Sequence, residues 1–138
     1  MSVFEIQTLL RTALFSVLSA DLTLETILGA GRIFDAPPRG QSYPYLVLET
    51  VESRPLLSEP DLGLVHDLTV SAFSRDRSRD EAAHAASRSA EVLMNGPVSL
   101  TGHRLVNLTL TNVISRRLRS GRGFRASSII RAVTEPLN

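Results

Sequence analysis

Three histidines, His66, His84 and His103, are the first candidates for chemistry, since imidazole is a common metal ligand and proton shuttle near neutral pH. Their spacing supports neither role. They fall on three separate segments, and none shows the i, i+4 repeat that sets two ligands on one helix face. His66 lies in an alternating apolar stretch, where a lone histidine reads as a hydrogen-bonded core residue. The segment "GQSYP" at 40–44 begins like a nucleophile elbow, but it lacks the second glycine and leads into a strand rather than a helix. Asp76, Asp80 and Glu81 gather at a helix start, where the exposed N–H groups and the helix dipole account for carboxylates. "GRG" at 121–123 lacks the further glycine and the βαβ setting of a phosphate loop. The 138 residues contain no cysteine, which excludes disulfides, thiolate catalysis and Cys-based zinc sites. The expectation is a protein that is not an enzyme and needs no cofactor or metal. A pocket of convergent polar groups, as in a small enzyme or ligand-binding domain, leaves no such mark in a sequence.

The remaining candidates are charges. "SRRLRSGRGFRAS" at 115–127 carries Arg116, Arg117, Arg119, Arg122 and Arg125 around two glycines, in a chain whose formal net charge is +1. All 15 basic residues are arginine, whose planar fork makes oriented contacts and tolerates partial burial. Residues 101–138 hold seven arginines against Glu135 alone, whereas residues 1–60 are net acidic. An acidic front and a basic back suit either a polyanion partner or head-to-tail contact between copies.

The elements that must position these charges follow from periodicity. Ser2 with Glu5 is a capping box, and the apolar residues from Val3 to Leu18 recur at helical spacing, predicting a helix over 3–19. Asp21 caps a short second helix that Gly29 and Gly31 stop. "RIF" at 32–34 is a short extended piece, and "YPYLVLETVE" at 43–52 reads as an interior strand. Residues 53–63, with two prolines and a glycine, read as a loop with greasy Leu56 and Leu57 at its tip. A strand over 65–74 sets His66, Leu68, Val70 and Ala72 on one face. Ser78 with Glu81 repeats the capping box before a helix over 78–94 whose small face (Ala82, Ala85, Ala86, Ala90) suits close packing on a sheet. A strand over 103–117 follows, with Val106, Leu108, Leu110 and Ile114 inward and Asn107, Thr109, Thr111 and Ser115 outward, and a last strand covers 124–134. This order is α+β: one domain over 1–138, a mostly antiparallel sheet and two long helices on one face. The arginine-rich stretch becomes the tip of the final hairpin. No run approaches the ~18 apolar residues of a membrane span, so no membrane partner is expected.

"GRIFDAPPRGQSYPYLVLE" at 31–49, "GHRLVNLTLTNV" at 102–113 and "FRASSIIRAVTEP" at 124–136 resemble the tail-completion, or tail-terminator, proteins of long-tailed phages and gene transfer agents. The likeness extends over nearly the whole chain, in structural punctuation rather than catalytic signatures. It implies a hexameric ring at the head-proximal end of the tail tube, which stops tube growth and offers a surface to the head connector or stopper protein. The implied partners are further copies, the major tail tube protein and that connector, with DNA passing through the lumen without sequence-specific binding. The implied location is the bacterial cytoplasm during assembly and then the tail or neck of the particle. The resemblance brings no catalytic residue.

A ring of one subunit type needs two different patches that meet between neighbours. Arg116, Arg117, Arg119, Arg122 and Arg125 supply one, with Glu49, Glu52, Glu59 and Asp61 as candidate partners on a neighbour or a tail protein. Leu56 and Leu57 either fold onto their own domain or dock on the tube or connector. The tip has two competing readings: a solvated surface run, or a grip on luminal DNA. Two other functions stay open, a neck component such as a head-completion protein and a small nucleic-acid-binding module. For the latter, Phe124 is the one aromatic near the tip in sequence, too little for a base-stacking platform.

Overall fold

The computed structural model describes residues 2–59, 62–75, 78–119 and 121–137; Asp61 and Asp76 lie outside the described residues. Helix α1, Val3–Ser19, starts at Ser2, whose Oγ accepts the Glu5 N–H at 3.2 Å. Ile6, Leu10, Leu14 and Leu18 form its buried stripe. Asp21 caps α2, Leu22–Leu28, by accepting the Leu24 N–H at 2.9 Å. Helix α3, Arg79–Asn95, buries Ala82, Ala85, Ala86, Ser89 and Leu93. Its expected capping box is absent: the Ser78 side chain makes no cap bond. The Ser78 backbone is held instead at both ends, its N–H donating to the Arg75 carbonyl and its carbonyl accepting from Ser74 Oγ.

Strands β1 (Ile33–Phe34), β2 (Tyr45–Pro55), β3 (Leu64–Arg75), β4 (His103–Arg117) and β5 (Gly123–Pro136) form one sheet in the order β1-β2-β3-β5-β4. β1 pairs parallel to β2 and the other three pairings are antiparallel, so the sheet is mixed, not the mostly antiparallel sheet expected from the sequence. The segment at 35–44 is long enough to return to the starting end of β1, and this lets the two strands run the same way. The reading of 53–63 as a loop also needs correction. β2 continues through Pro55, with Ser53 and Arg54 opposite His66 and Val65, and a 3-10 turn follows at Leu56–Ser58. Proline is tolerated at that last strand position because its missing N–H falls where pairing ends. Gly63 closes the turn at φ 132°, where a Cβ would stand 2.7 Å from the Thr134 carbonyl oxygen.

The three helices cover one face of the sheet. Leu46, Leu48, Leu68, Val70, Ala72, Ala126, Ile130 and Ala132 share a single core with the α1 stripe, the α2 leucines and the alanines of α3. α1 packs mainly on β2, and α3 on β3 and β5. β4 therefore projects past the helical layer; Leu108 and Leu110 face inward and Asn107 and Thr109 outward as expected, whereas the faces expected for Val106, Thr111, Ile114 and Ser115 are corrected. Register shifts between Leu105 and Asn107 and between Leu110 and Asn112 leave Val106 and Thr111 as extra residues. Each bulge reverses the alternation. Leu105, Leu108, Leu110 and Val113 align with the core-facing residues of β5, whereas Ile114 aligns with Ser127 on the opposite face. No single helix among the described residues is long and apolar enough to cross a membrane.

Candidate functional site

The one fully buried histidine among the described residues sits in a saturated row of hydrogen bonds. His66 is fully buried between Ser53 Oγ, 2.6 Å from Nδ1, and Thr134 Oγ1, 2.9 Å from Nε2. Gln7 Nε2 donates to Ser53 Oγ at 2.9 Å and to the Val51 carbonyl at 3.1 Å. A neutral ring with its proton on Nε2 satisfies the whole row, which ties α1 to β2, β3 and β5. Burial lowers the His66 pKa to about 4, so the ring is uncharged at neutral pH. No group of three or more metal-ligating side chains converges among the described residues.

The uncovered sheet face carries the first of the sequence-predicted charges. Arg125 Nη2 contacts Glu49 Oε2 at 2.5 Å, and Arg125 Nε donates to Ser127 Oγ at 3.2 Å. Ser127 and Ser71 hydroxyls lie 2.8 Å apart, and Ser71 Oγ donates to Glu49 at 3.2 Å, completing a closed polar ring across β2, β3 and β5. Further along the same face, Asp67 accepts from Arg54 at 2.7 Å and Arg131 at 2.9 Å, and these bonds hold its pKa below the usual carboxylate value.

The aromatic surroundings of the tip are richer than the sequence suggested. Tyr43 stacks on Tyr45 with centroids 5.5 Å apart, Tyr45 stacks on Phe73 at 4.9 Å, and the Arg125 guanidinium lies over Phe73 at 5.5 Å. Both faces of Tyr45 and of Phe73 meet another ring or the guanidinium, so only the outer face of Tyr43, at the end of the row, is left without such a contact. Phe124, on the helix side, is flanked by Arg79 and Arg117 at 5.0 and 5.2 Å.

Arg116 stands opposite Arg125 on the uncovered face, and Arg119 and Arg122 are exposed in the hairpin turn. The acidic candidates divide. Glu49 is paired with Arg125 in its own chain; Glu52 is exposed opposite Asp67; Glu59 is exposed just past the 3-10 turn. Leu56 is half-buried, whereas Leu57 is 80% exposed at φ 52°. The register puts the arginine tip beside the Arg75 end of β3 and the 56–59 turn beside its Leu64 end. Within one chain, then, Arg125 and Glu49 come together, and the rest of the basic group stands a full strand length from Leu56, Leu57 and Glu59.

Two features escaped the sequence reading. Arg88 binds Asp21 through two nitrogens, at 2.7 and 2.9 Å, locking α3 to the cap of α2 and lowering the Asp21 pKa. Between α3 and β4 lies an open apolar groove of about 600 Å³, floored by Ala83, Ala86, Ala90 and Met94 and walled by Leu110 and Val113. Val113 is 65% exposed. The alternation of β4 hid this wall, since the bulges decide which residues form it.

Two matches mark this chain as a structural, non-enzymatic protein. Chains of solved structures share its fold: one from the virion of a native gene transfer agent particle is 25% identical, with a TM-score of 0.83 over 93% of this chain and 96% of that one. No curated protein matches the sequence. The chain belongs to the family of the tail completion protein gp17, whose model matches residues 12–135.

Proposed function

We propose that this chain ends a phage-like tail: copies of it form a ring on the head-proximal end of the tube, stop its growth and then join it to the head connector or stopper protein. The family match over residues 12–135 carries this reading, supported by the likeness to a chain of a gene transfer agent virion. A ring of six follows the family resemblance. The partners are further copies, the major tail tube protein and the connector, with assembly in the bacterial cytoplasm and residence in the tail or neck of the particle. The opposed placement of the two surface groups suits a conduit component. The arginine tip (Arg116, Arg117, Arg119, Arg122) meets carboxylates of a neighbour or tail protein. The segment that contains Leu56, Leu57, Glu59 and Asp61, with Glu52 on the strand before it, meets another component at the other end of the strands. DNA passes without base-specific contact, because the faces of Tyr45 and Phe73 near the tip are already occupied and one ring alone makes no stacking platform.

Production of particles without this chain tests the reading. The expected result is tails of unregulated length that fail to attach to heads; complete, infectious particles would overturn it. Arg116→Glu with Arg119→Glu probes the tip: the chain folds normally and joining is impaired.

A further inference from the structure

The groove between α3 and β4 has no partner among the described residues of the chain, and its geometry specifies what enters it. Its α3 side is three alanines with Ser87, Glu91 and Met94, so a helix can approach the α3 backbone closely at the alanines while the flexible thioether fills what remains. At the opposite edge of the sheet, α1 presents an equally unpartnered surface formed by Phe4, Glu5, Thr8, Leu9 and Thr12. Phe4 is 80% exposed. On the α1 helical wheel, Phe4 projects to the same side as Gln7, which bonds to β2, and Arg11, which pairs with Asp35 beside β1. The two surfaces also stand at the same height. Gln7 reaches the Val51 carbonyl, and the row through Val51 runs across Leu68 and Ile130 to Leu110, the start of the groove wall. The next two turns of α1 are therefore level with Val113 and Ser115.

Each surface holds one carboxylate, Glu91 in the groove, which pairs with Arg88 of its own helix, and Glu5 on α1, so the contact is apolar rather than ionic. A sheet continued from copy to copy is disfavoured, because β1 at one edge is two residues long and covers only part of β2, and both β2 and β4, the other edge strand, carry bulges. We infer that the groove of one copy receives the first helix of the next, with Phe4, Thr8 and Thr12 seated between the alanines of α3 and Val113 of β4. This rests on the ring reading and names the contact that repeats around it: a head-to-tail junction between two different patches, which is what closure of a ring requires.

The absence of cysteine makes the test direct. Particles are assembled from a mixture of Thr8→Cys and Ser87→Cys chains, and separately from each alone; both positions are exposed and line the two surfaces. Oxidation should give a disulfide-linked dimer of this chain in the mixed particles only. Val113→Glu should leave folding unchanged and abolish the junction. If the chain is present in mixed particles but no dimer linked through positions 8 and 87 forms, or Ser87→Cys crosslinks to itself or to a different particle protein, the inference fails and the tail-end reading stands. If the unmodified chain is missing from the particle, both fall.

Discussion

Arg125 and Glu49 form an ion pair across the full width of β3, one residue from β5 and the other from β2, with Ser71 and Phe73 lying between them. The pair is half-buried, so removal of one partner leaves the other partly desolvated without a counter-charge. Arg125→Ala is expected to lower unfolding stability by about 1–2 kcal/mol, whereas Arg116→Ala, on the exposed neighbouring strand, should change it by less than about 0.5 kcal/mol. Urea denaturation of the two variants checks the difference, and equal losses would contradict a structural role for Arg125.

The buried histidine makes stability depend on pH. The His66 pKa is lowered from 6.5 to about 4, so between those values the unfolded chain binds a proton that the folded chain refuses. The contribution is complete above pH 6.5 and is lost as pH falls toward 4, with a total of about 3 kcal/mol. Asp21 and Asp67 titrate below this window because their arginine partners hold their pKa values down. Denaturation midpoints across the window should therefore fall with acidification, and His66→Gln should flatten the slope. An NMR titration placing the ring pKa near 6.5 would refute the account.

Asp21 joins two helices by capping α2 and binding Arg88 of α3. Asp21→Ala removes both, with an expected loss of about 2 kcal/mol. Because its pKa is lowered, this stabilisation is present above the ordinary carboxylate value of 3.8 and disappears as pH falls below it. Hydrogen exchange should quicken across Leu22–Leu28 while the β3–β5 core keeps its protection; unchanged exchange in α2 would show the bond to be dispensable.

Gly63→Ala introduces a Cβ 2.7 Å from the Thr134 carbonyl at a backbone angle that side chains rarely adopt. A loss of about 1–3 kcal/mol is expected in thermal or urea unfolding. Gly40→Ala is the comparison, since its Cβ meets nothing within 4 Å and strain at φ 76° is the only cost. Equal losses in the two variants would show that the Thr134 contact adds nothing.

Local pattern carried much of the architecture. Ser2 and Glu5 mark the start of α1, and leucines at positions 10, 14 and 18 mark its buried stripe, because a helix repeats its faces within the reach of four residues. His66, Leu68, Val70 and Ala72 gave the inner face of β3 by simple alternation, since β3 pairs without a bulge on the β5 side. The same reasoning held on β4 only between its two bulges, from Asn107 to Leu110. Val106 and Thr111 are ordinary strand residues, and nothing in their types announces that they stand outside the register. Ser78 failed similarly, as its backbone is held by Ser74 and Arg75 rather than free to cap.

The chain's composition and periodicity were enough to establish its helices and main strands, its lack of thiol chemistry and the concentration of arginine near its C-terminal end, because these depend on residue type and short-range spacing. Long-range packing settled the rest. Which carboxylate Arg125 holds, which faces the Tyr43–Tyr45–Phe73 row leaves open, and which side of β4 faces the groove all depend on partners tens of residues away in sequence. Those partners meet because β3 lies between β2 and β5, and β4 beside β5, in the folded sheet.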